Sequence, residues 1–155
     1  MEHILGIHFN DAGLLIQGLA HSSFANEQPE VVEASNERLE FLGDAFLGYV
    51  VAQELFQRYP GMSEGDLTTA RASLVSRHAL YLVADRLGLG AFLLLGQGEE
   101  YTGGRRRASN LAALVESLVG AVLEDQGPQL AKKVALSLLE PDFRRLASQG
   151  IVLDA

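Results

Sequence analysis

Residues 36–45 read Asn36-Glu37-Arg38-Leu39-Glu40-Phe41-Leu42-Gly43-Asp44-Ala45. Glu37, Glu40 and Asp44 recur at i, i+3 and i+7, a spacing that stacks side chains along one face of a helix. Leu39, Leu42, Phe46 and Leu47 flank them, so the same helix lies largely inside a core. Like charges at this spacing cost roughly 0.2–0.5 kcal/mol even on an exposed helix, and more when partly buried. Something must offset that repulsion. A divalent cation, a shared proton or an arginine can each do so.

Working outward, Ser35 or Asn36 caps this helix, which the pattern carries to about Tyr59, before Pro60-Gly61. On the N-terminal side, Asn10 or Asp11 caps a shorter helix through about Leu19, and His21 to Ala34 is polar, contains Pro29 and reads as a loop. On the C-terminal side, Ser63 or Asp66 starts a helix that runs to Leu87-Gly88-Leu89-Gly90. A glycine-rich connector, Gly96 to Gly104, leads into Arg105-Arg106-Arg107. Ser109 or Asn110 caps the next helix, with Leu111, Leu114, Val115, Leu118, Val119 and Val122 inward. Gly127-Pro128 ends it; Pro128 opens another helix to about Glu140, and Pro141 starts a last short one through Leu146. Hairpin signals and internal repeats are lacking. The expected fold class is all-α.

The chain has 155 residues, enough for one domain with a substantial core. Its 48% hydrophobic and 21% charged residues are ordinary for a soluble globular protein. No cysteine is present, which excludes a disulfide, a thiolate nucleophile and a zinc–cysteine site. No apolar run approaches the roughly 20 residues that span a bilayer, and the first residues lack a basic-then-apolar signal pattern, so no membrane partner and a cytoplasmic location are expected. The net charge of −8 opposes unaided binding to nucleic acid, although a local basic patch could still hold phosphate.

A second acid stands out in an apolar run. Glu116 interrupts Leu114-Val115 and Leu118-Val119-Gly120-Ala121, and glutamate is seldom buried without a partner. Set against Glu40 and Asp44 it completes an all-oxygen cluster suited to Mg²⁺ or Mn²⁺. Such ions activate water and stabilise charge on a transferring phosphate. In the plainer reading Glu116 pairs with an arginine such as Arg38 or Arg71, and Arg71 and Arg77 neutralise the cluster.

Asn36 to Ala45 resembles the signature of the ribonuclease III catalytic domain, and the resemblance extends from about Leu5 to Asp142. Leu5-Gly-Ile-His-Phe-Asn-Asp11 and His21-Ser-Ser-Phe-Ala-Asn-Glu27 are similar to that family's opening helix and following loop. Glu64-Gly-Asp-Leu-Thr68 with Arg71-Ala-Ser-Leu-Val-Ser76, Gly98-Glu-Glu with Gly103-Gly-Arg105, and Glu116-Ser-Leu-Val-Gly-Ala121 resemble its later blocks, in the same order. The resemblance implies the all-helical ribonuclease III endonuclease fold, a two-fold homodimer and cleavage of double-stranded RNA. Hydrolysis would use Mg²⁺, with Mn²⁺ as a substitute, and leave 5′-phosphate and 3′-hydroxyl ends, as in rRNA and other RNA processing. It implies that Glu40, Asp44 and Glu116 hold metal, with Asp44 and Glu116 catalytic, and that Glu37 and Glu64 are accessory acids of the cleft. Phe41 matches an aromatic that enters a pocket on the partner subunit; plain core packing is the alternative. Residues 1–147 would form the catalytic domain and 148–155 the start of a linker toward an absent double-stranded RNA-binding domain.

One position departs from the family pattern. Three residues before Glu116 the family places an Asp; here it is Ala113. Alanine cannot ligate a metal, so one oxygen is missing, through an engineered change or natural variation, and weakened catalysis is expected. A catalytically impaired domain serving as an RNA-binding or assembly scaffold is the rival reading, and a helical phosphohydrolase of small nucleotides is a second. Arg105, Arg106 and Arg107 precede a helix N-terminus, where an anion is favoured; they are the candidate RNA contacts, or else a solvated basic loop. His21 and His78 read as structural.

Overall fold

The computed structural model describes residues 1–149. Its helices are α1 (Glu2–Leu5), α2 (Ala12–Leu19), α3 (Ser22–Glu27), α4 (Glu37–Arg58), α5 (Glu64–Val75), α6 (Arg77–Leu87), α7 (Gln97–Tyr101), α8 (Ala108–Gln126) and α9 (Pro128–Ser148). Two 3₁₀ turns, Leu89–Phe92 and Gly104–Arg106, complete the set. No strand forms among the described residues, and extended pairing is limited to an isolated bridge between Ala20 and Leu94. The all-α expectation holds. Residues 150–155 of the expected linker lie outside the described residues, and Ser148 is the last residue of α9.

Helix α8 is the axis of the domain, packed against α4, α6, α2 and α9. Its sequence requires this position: Leu111, Leu114, Val115, Leu118, Val119, Ala121 and Val122 are buried on most sides of the helix, and the stripe through Ser109, Ala113 and Glu116 is only half-buried. Ser117, the polar interruption at full burial, donates its hydroxyl to the Gly18 carbonyl of α2 at 2.7 Å and to Leu114 O at 3.1 Å. At the far end of α8 the Asp125 carboxylate accepts from the Asn10 and Asp11 amides at 2.8 and 2.9 Å. This ties the start of α2 to α8.

Helices α4 and α8 cross closely because both carry glycine at the crossing. A Cβ on Gly43 would fall into the Glu116 carbonyl, and one on Gly120 into the Leu39 carbonyl. The contact is backbone to backbone. It brings the acid-bearing face of α4 alongside Glu116.

Several boundaries differ from those expected. The segment expected as one helix from residue 63 to about 90 is two, because Ser76 is extended (ψ 161°) and its hydroxyl accepts from the Ala79 amide at 3.2 Å, starting α6 afresh. Pro141 does not divide the last segment. It sits on the exposed face of a continuous α9, where water can satisfy the freed Ser137 carbonyl, while Phe143 and Leu146 hold the second half to the core. Within the stretch expected as a loop, His21 caps α3 by accepting from the Ser23 amide at its Nδ1 (3.1 Å). The glycine-rich connector contains α7. No helix among the described residues is long and apolar enough to cross a membrane.

Candidate active site

Side chains from α4 and α8 meet in a cavity of about 430 Å³ whose lining includes Glu37, Glu40, Asp44, Arg77, Asn110, Ala113 and Glu116. Sequence spacing put the α4 acids on one face; the Gly43–Gly120 crossing adds Glu116 to them. Glu40 and Glu116 are half-buried, whereas Glu37 and Asp44 are exposed. At the start of α4, Ser35 rather than Asn36 supplies the side-chain cap: its hydroxyl accepts from the Glu37 amide at 3.2 Å and donates to Glu37 Oε1 at 2.8 Å.

The electrostatics of the pocket follow from this crowding. Burial, then hydrogen bonding to Asp44 and the charges of Asp44 and Glu40, pushes the Glu116 carboxyl up to about 8, with Arg77 opposing the shift. Burial also raises Glu40, assisted by Glu37 and Asp44 and again opposed by Arg77. The raised Glu116 carboxyl favours its neutral form, and Arg77 faces the acids, so a proton and an arginine each ease the repulsion in the protein alone. Asp44 and Glu116 stand within hydrogen-bonding reach of one another, an arrangement two ionised carboxylates do not keep without a proton or a cation between them.

That pair is the observation bearing on a metal. The donors are hard carboxylate oxygens, the set preferred by Mg²⁺ and Mn²⁺, and a cation can replace the proton that Glu116 favours. No three His, Asp or Glu side chains among the described residues form a ready-made metal cage, so binding would draw the carboxylates inward. Ala113 faces the same cavity and adds only a methyl group.

The other expected site residues divide. Glu64 does not join this cavity in its own chain; it lines a separate hollow of about 250 Å³ with Ala52, Leu55, Phe56, Leu67 and Arg71. Phe41 projects from α4 with 78% of its surface exposed, so it is not a core residue here. Arg105 is held by Glu100 at 2.6 Å and by the carbonyls of Gly90 and Leu93 at 2.9 and 2.7 Å. Arg107 pairs with Glu99 and donates to the Thr102 carbonyl at 3.1 Å. Arg106 is exposed and forms no side-chain ion pair among the described residues. Among the arginines considered as neutralising partners, Arg77 faces the acids and Arg71 lies by Glu64. His21 lines the acidic cavity, while His78 stacks obliquely on Tyr81 at 6.2 Å.

Sequence reasoning missed Glu99. It accepts from Arg107 and from Asn110 Nδ2 (3.0 Å) and lies 4.0 Å from His21 Nε2, joining α7 to the start of α8 and the rim of the cavity. Its only sequence signal is an acid within a glycine-rich stretch followed by arginines.

An all-helical domain that presses acids from two glycine-crossed helices into one cavity is thus the class that fold and site define. The chain matches the Ribonuclease-III-like family model over residues 11–142, and it belongs to that family. It is 51% identical over 148 residues to Ribonuclease 3 of Bacillus cereus (strain G9842), a match covering 96% of this chain and 60% of that protein. Ribonuclease 3 of Bacillus anthracis (strain CDC 684 / NRRL 3495) is 51% identical over 123 residues, covering 79% of this chain and 50% of that one. The chain thus spans about 60% or less of the length of these relatives. The nuclease domain of ribonuclease III from Campylobacter jejuni, in a structure concerned with flexibility in a region involved in dimer formation, superposes with a TM-score of 0.85 at 40% identity, covering 92% of this chain and 96% of that one. Dicer from Pichia stipitis shares the fold, with a TM-score of 0.64 at 24% identity over 89% of this chain and 58% of that one.

Proposed function

We propose that the chain is the catalytic part of an endoribonuclease that hydrolyses double-stranded RNA, and that it works as a two-fold dimer. The observation that carries this reading is the convergence of Glu40, Asp44 and Glu116 in one cavity, in a chain of the ribonuclease III family. Those three residues would hold Mg²⁺, or Mn²⁺ in its place. The ion supplies activation of water and stabilisation of charge on the phosphate, leaving 5′-phosphate and 3′-hydroxyl ends. The chain's own part is to keep the carboxylates pressed together and to orient the phosphate. The first turn of α8 carries no side-chain cap, and Ser109 and Asn110 line the cavity; the positive end of that helix favours an anion there. Processing of rRNA and other structured RNA in the cytoplasm is the role that fits.

The outer face of α4 supports the dimer. Phe41, Tyr49 and Phe56 are 78%, 59% and 69% exposed along it. Phe41 and Phe56 are about 22 Å apart along the helix axis, and the 250 Å³ hollow beside Phe56 lies at the end opposite Phe41. A two-fold axis near Gly48 sets Phe41 of each copy over the hollow of the other. The same operation would carry Glu64, on the rim of that hollow, toward the acid cavity of the other copy, which supports its reading as an accessory acid. A-form RNA would lie across both cavities and be read by its backbone and shape rather than its sequence.

Ala113 favours a second reading, an impaired domain that serves as an RNA-binding or assembly scaffold. Incubating the chain with long double-stranded RNA in Mg²⁺ and in Mn²⁺ separates the two. Slow cleavage that Glu116→Gln abolishes and Ala113→Asp raises by about 10- to 100-fold, the usual weight of a ligand-supporting group, supports the nuclease. Failure of both the native chain and Ala113→Asp to cleave supports the scaffold.

A further inference from the structure

Part of the cavity lining carries neutral polar side chains in place of acids: His21, Asn36, Ser109 and Asn110. They adjoin one another. The Asn36 amide donates to the Ala20 carbonyl at 2.8 Å, which sets it beside His21. Glu99 Oε1, which accepts from Asn110 Nδ2 at 3.0 Å, lies 4.0 Å from His21 Nε2. That last distance is too long for a hydrogen bond, so Glu99 leaves the His21 ring nitrogen free.

Each member of this group is left with a donor to give. His21 Nδ1 accepts from the Ser23 amide at 3.1 Å as the cap of α3. The neutral ring therefore carries its proton on Nε2. Asn36 is 5% exposed, caps nothing, and its side chain forms no hydrogen bond among the described residues. Its polar end opens on the cavity. A buried amide without a partner costs stability, and a ligand that completes it explains its presence. At the start of α8 the first chain amide to find a carbonyl is that of Leu111, bonded to Arg107 at 3.1 Å. The amides of Ala108, Ser109 and Asn110 stay open among the described residues, with no side-chain cap. Donors from three elements thus face one region, and the complement of such a set is an anion with several acceptor oxygens.

Resting on the RNA-binding reading above, we propose that His21 and Asn36, with the open first turn of α8, form a phosphate subsite that grips the RNA backbone beside the carboxylates. Two variants separate this role from a structural one. His21→Asn keeps a capping oxygen for the Ser23 amide but removes the distal N–H. Asn36→Ala removes an amide that has no partner to lose. Both should melt at or above the temperature of the native chain. Both should bind a short fluorescent double-stranded RNA in Mg²⁺ about tenfold more weakly, the weight of one hydrogen bond to a charged group. Binding is read by anisotropy, with a gel confirming intact RNA. A variant that binds RNA like the native chain overturns the part assigned to its residue, whatever its melt. The native chain supplies an independent measurement, nuclear magnetic resonance during titration with inorganic phosphate. The His21 ring should show its proton on Nε2, and the Ser109 and Asn110 amides should shift with phosphate. A ring protonated on Nδ1, or amides that do not respond, overturns the subsite. Failure of the native chain to bind RNA, with the phosphate response intact, removes the RNA reading and leaves the anion site.

Discussion

Gly43 of α4 and Gly120 of α8 pack backbone against backbone: a Cβ on Gly43 would stand 3.1 Å from the Gly120 nitrogen, and one on Gly120 would stand 3.2 Å from the Gly43 nitrogen. No other residue type fits either position without moving a helix. The acid cavity exists because of this crossing, since Glu40 and Asp44 flank Gly43 and Glu116 lies one turn before Gly120. Gly43→Ala should therefore lower unfolding free energy by at least about 2 kcal/mol, measured by chemical denaturation. It should also lower Mn²⁺ affinity in whatever protein remains folded. A variant as stable as the native chain would show that the helices part without cost.

Glu116 gives the metal-free protein a pH dependence of definite sign. Its folded carboxyl sits near 8, well above the roughly 4.3 of an unfolded glutamate. The folded state thus holds a proton that the unfolded state releases across this window. The stability it contributes is complete below the unfolded value and is lost as pH rises through the folded one. In chelator, the melting temperature should fall between about pH 5 and pH 8. Glu116→Gln, which keeps the neutral form, should flatten that fall. An equally steep fall in the variant would place the titrating group elsewhere.

Cation binding must displace the same proton. Mn²⁺ affinity should rise with pH up to about 8, by at most about tenfold per unit for one released proton. Calorimetry in buffers of different ionisation enthalpy would count that proton, and a flat affinity between pH 6 and 8 would contradict the raised Glu116 carboxyl.

Phe41→Glu tests the proposed dimer without touching the core, because Phe41 is exposed. Burying an aromatic is worth roughly 1.5–3 kcal/mol, and a two-fold interface loses it twice. The dissociation constant should rise by at least about a hundredfold, seen by light scattering as monomer at micromolar concentration. An unchanged dimer would move the interface off the outer face of α4.

The three consecutive arginines should not behave alike. Arg105→Ala removes an ion pair and bonds to two backbone carbonyls, and should cost about 2 kcal/mol of stability. Arg106→Ala should leave the melt unchanged while weakening double-stranded RNA binding and reducing its salt dependence by about one phosphate contact per chain. If Arg106→Ala binds RNA as the native chain does, this loop is solvated surface.

The sequence by itself determined the helical class, the register of Glu37, Glu40 and Asp44 on one helix face and the anomaly of Glu116, because each depends on local periodicity or on the identity of one residue; the gap at Ala113 shows only against the pattern of the family the sequence resembles. It did not show where helices stop when tertiary contacts overrule local preference. Ser76 breaks a continuous apolar pattern through a hydroxyl cap, while Pro141 fails to break α9 because Phe143 and Leu146 are anchored beyond it. Nor could it tell structural from free charge: Arg105 and Arg107 turn inward to partners, leaving Arg106 unpaired among the described residues, and Arg77 rather than Arg38 or Arg71 faces the acids. Only the tertiary structure decided the site itself. Residues 72 positions apart in the chain, Asp44 and Glu116, come within hydrogen-bonding reach because two glycines, unremarkable in a linear reading, let their helices touch.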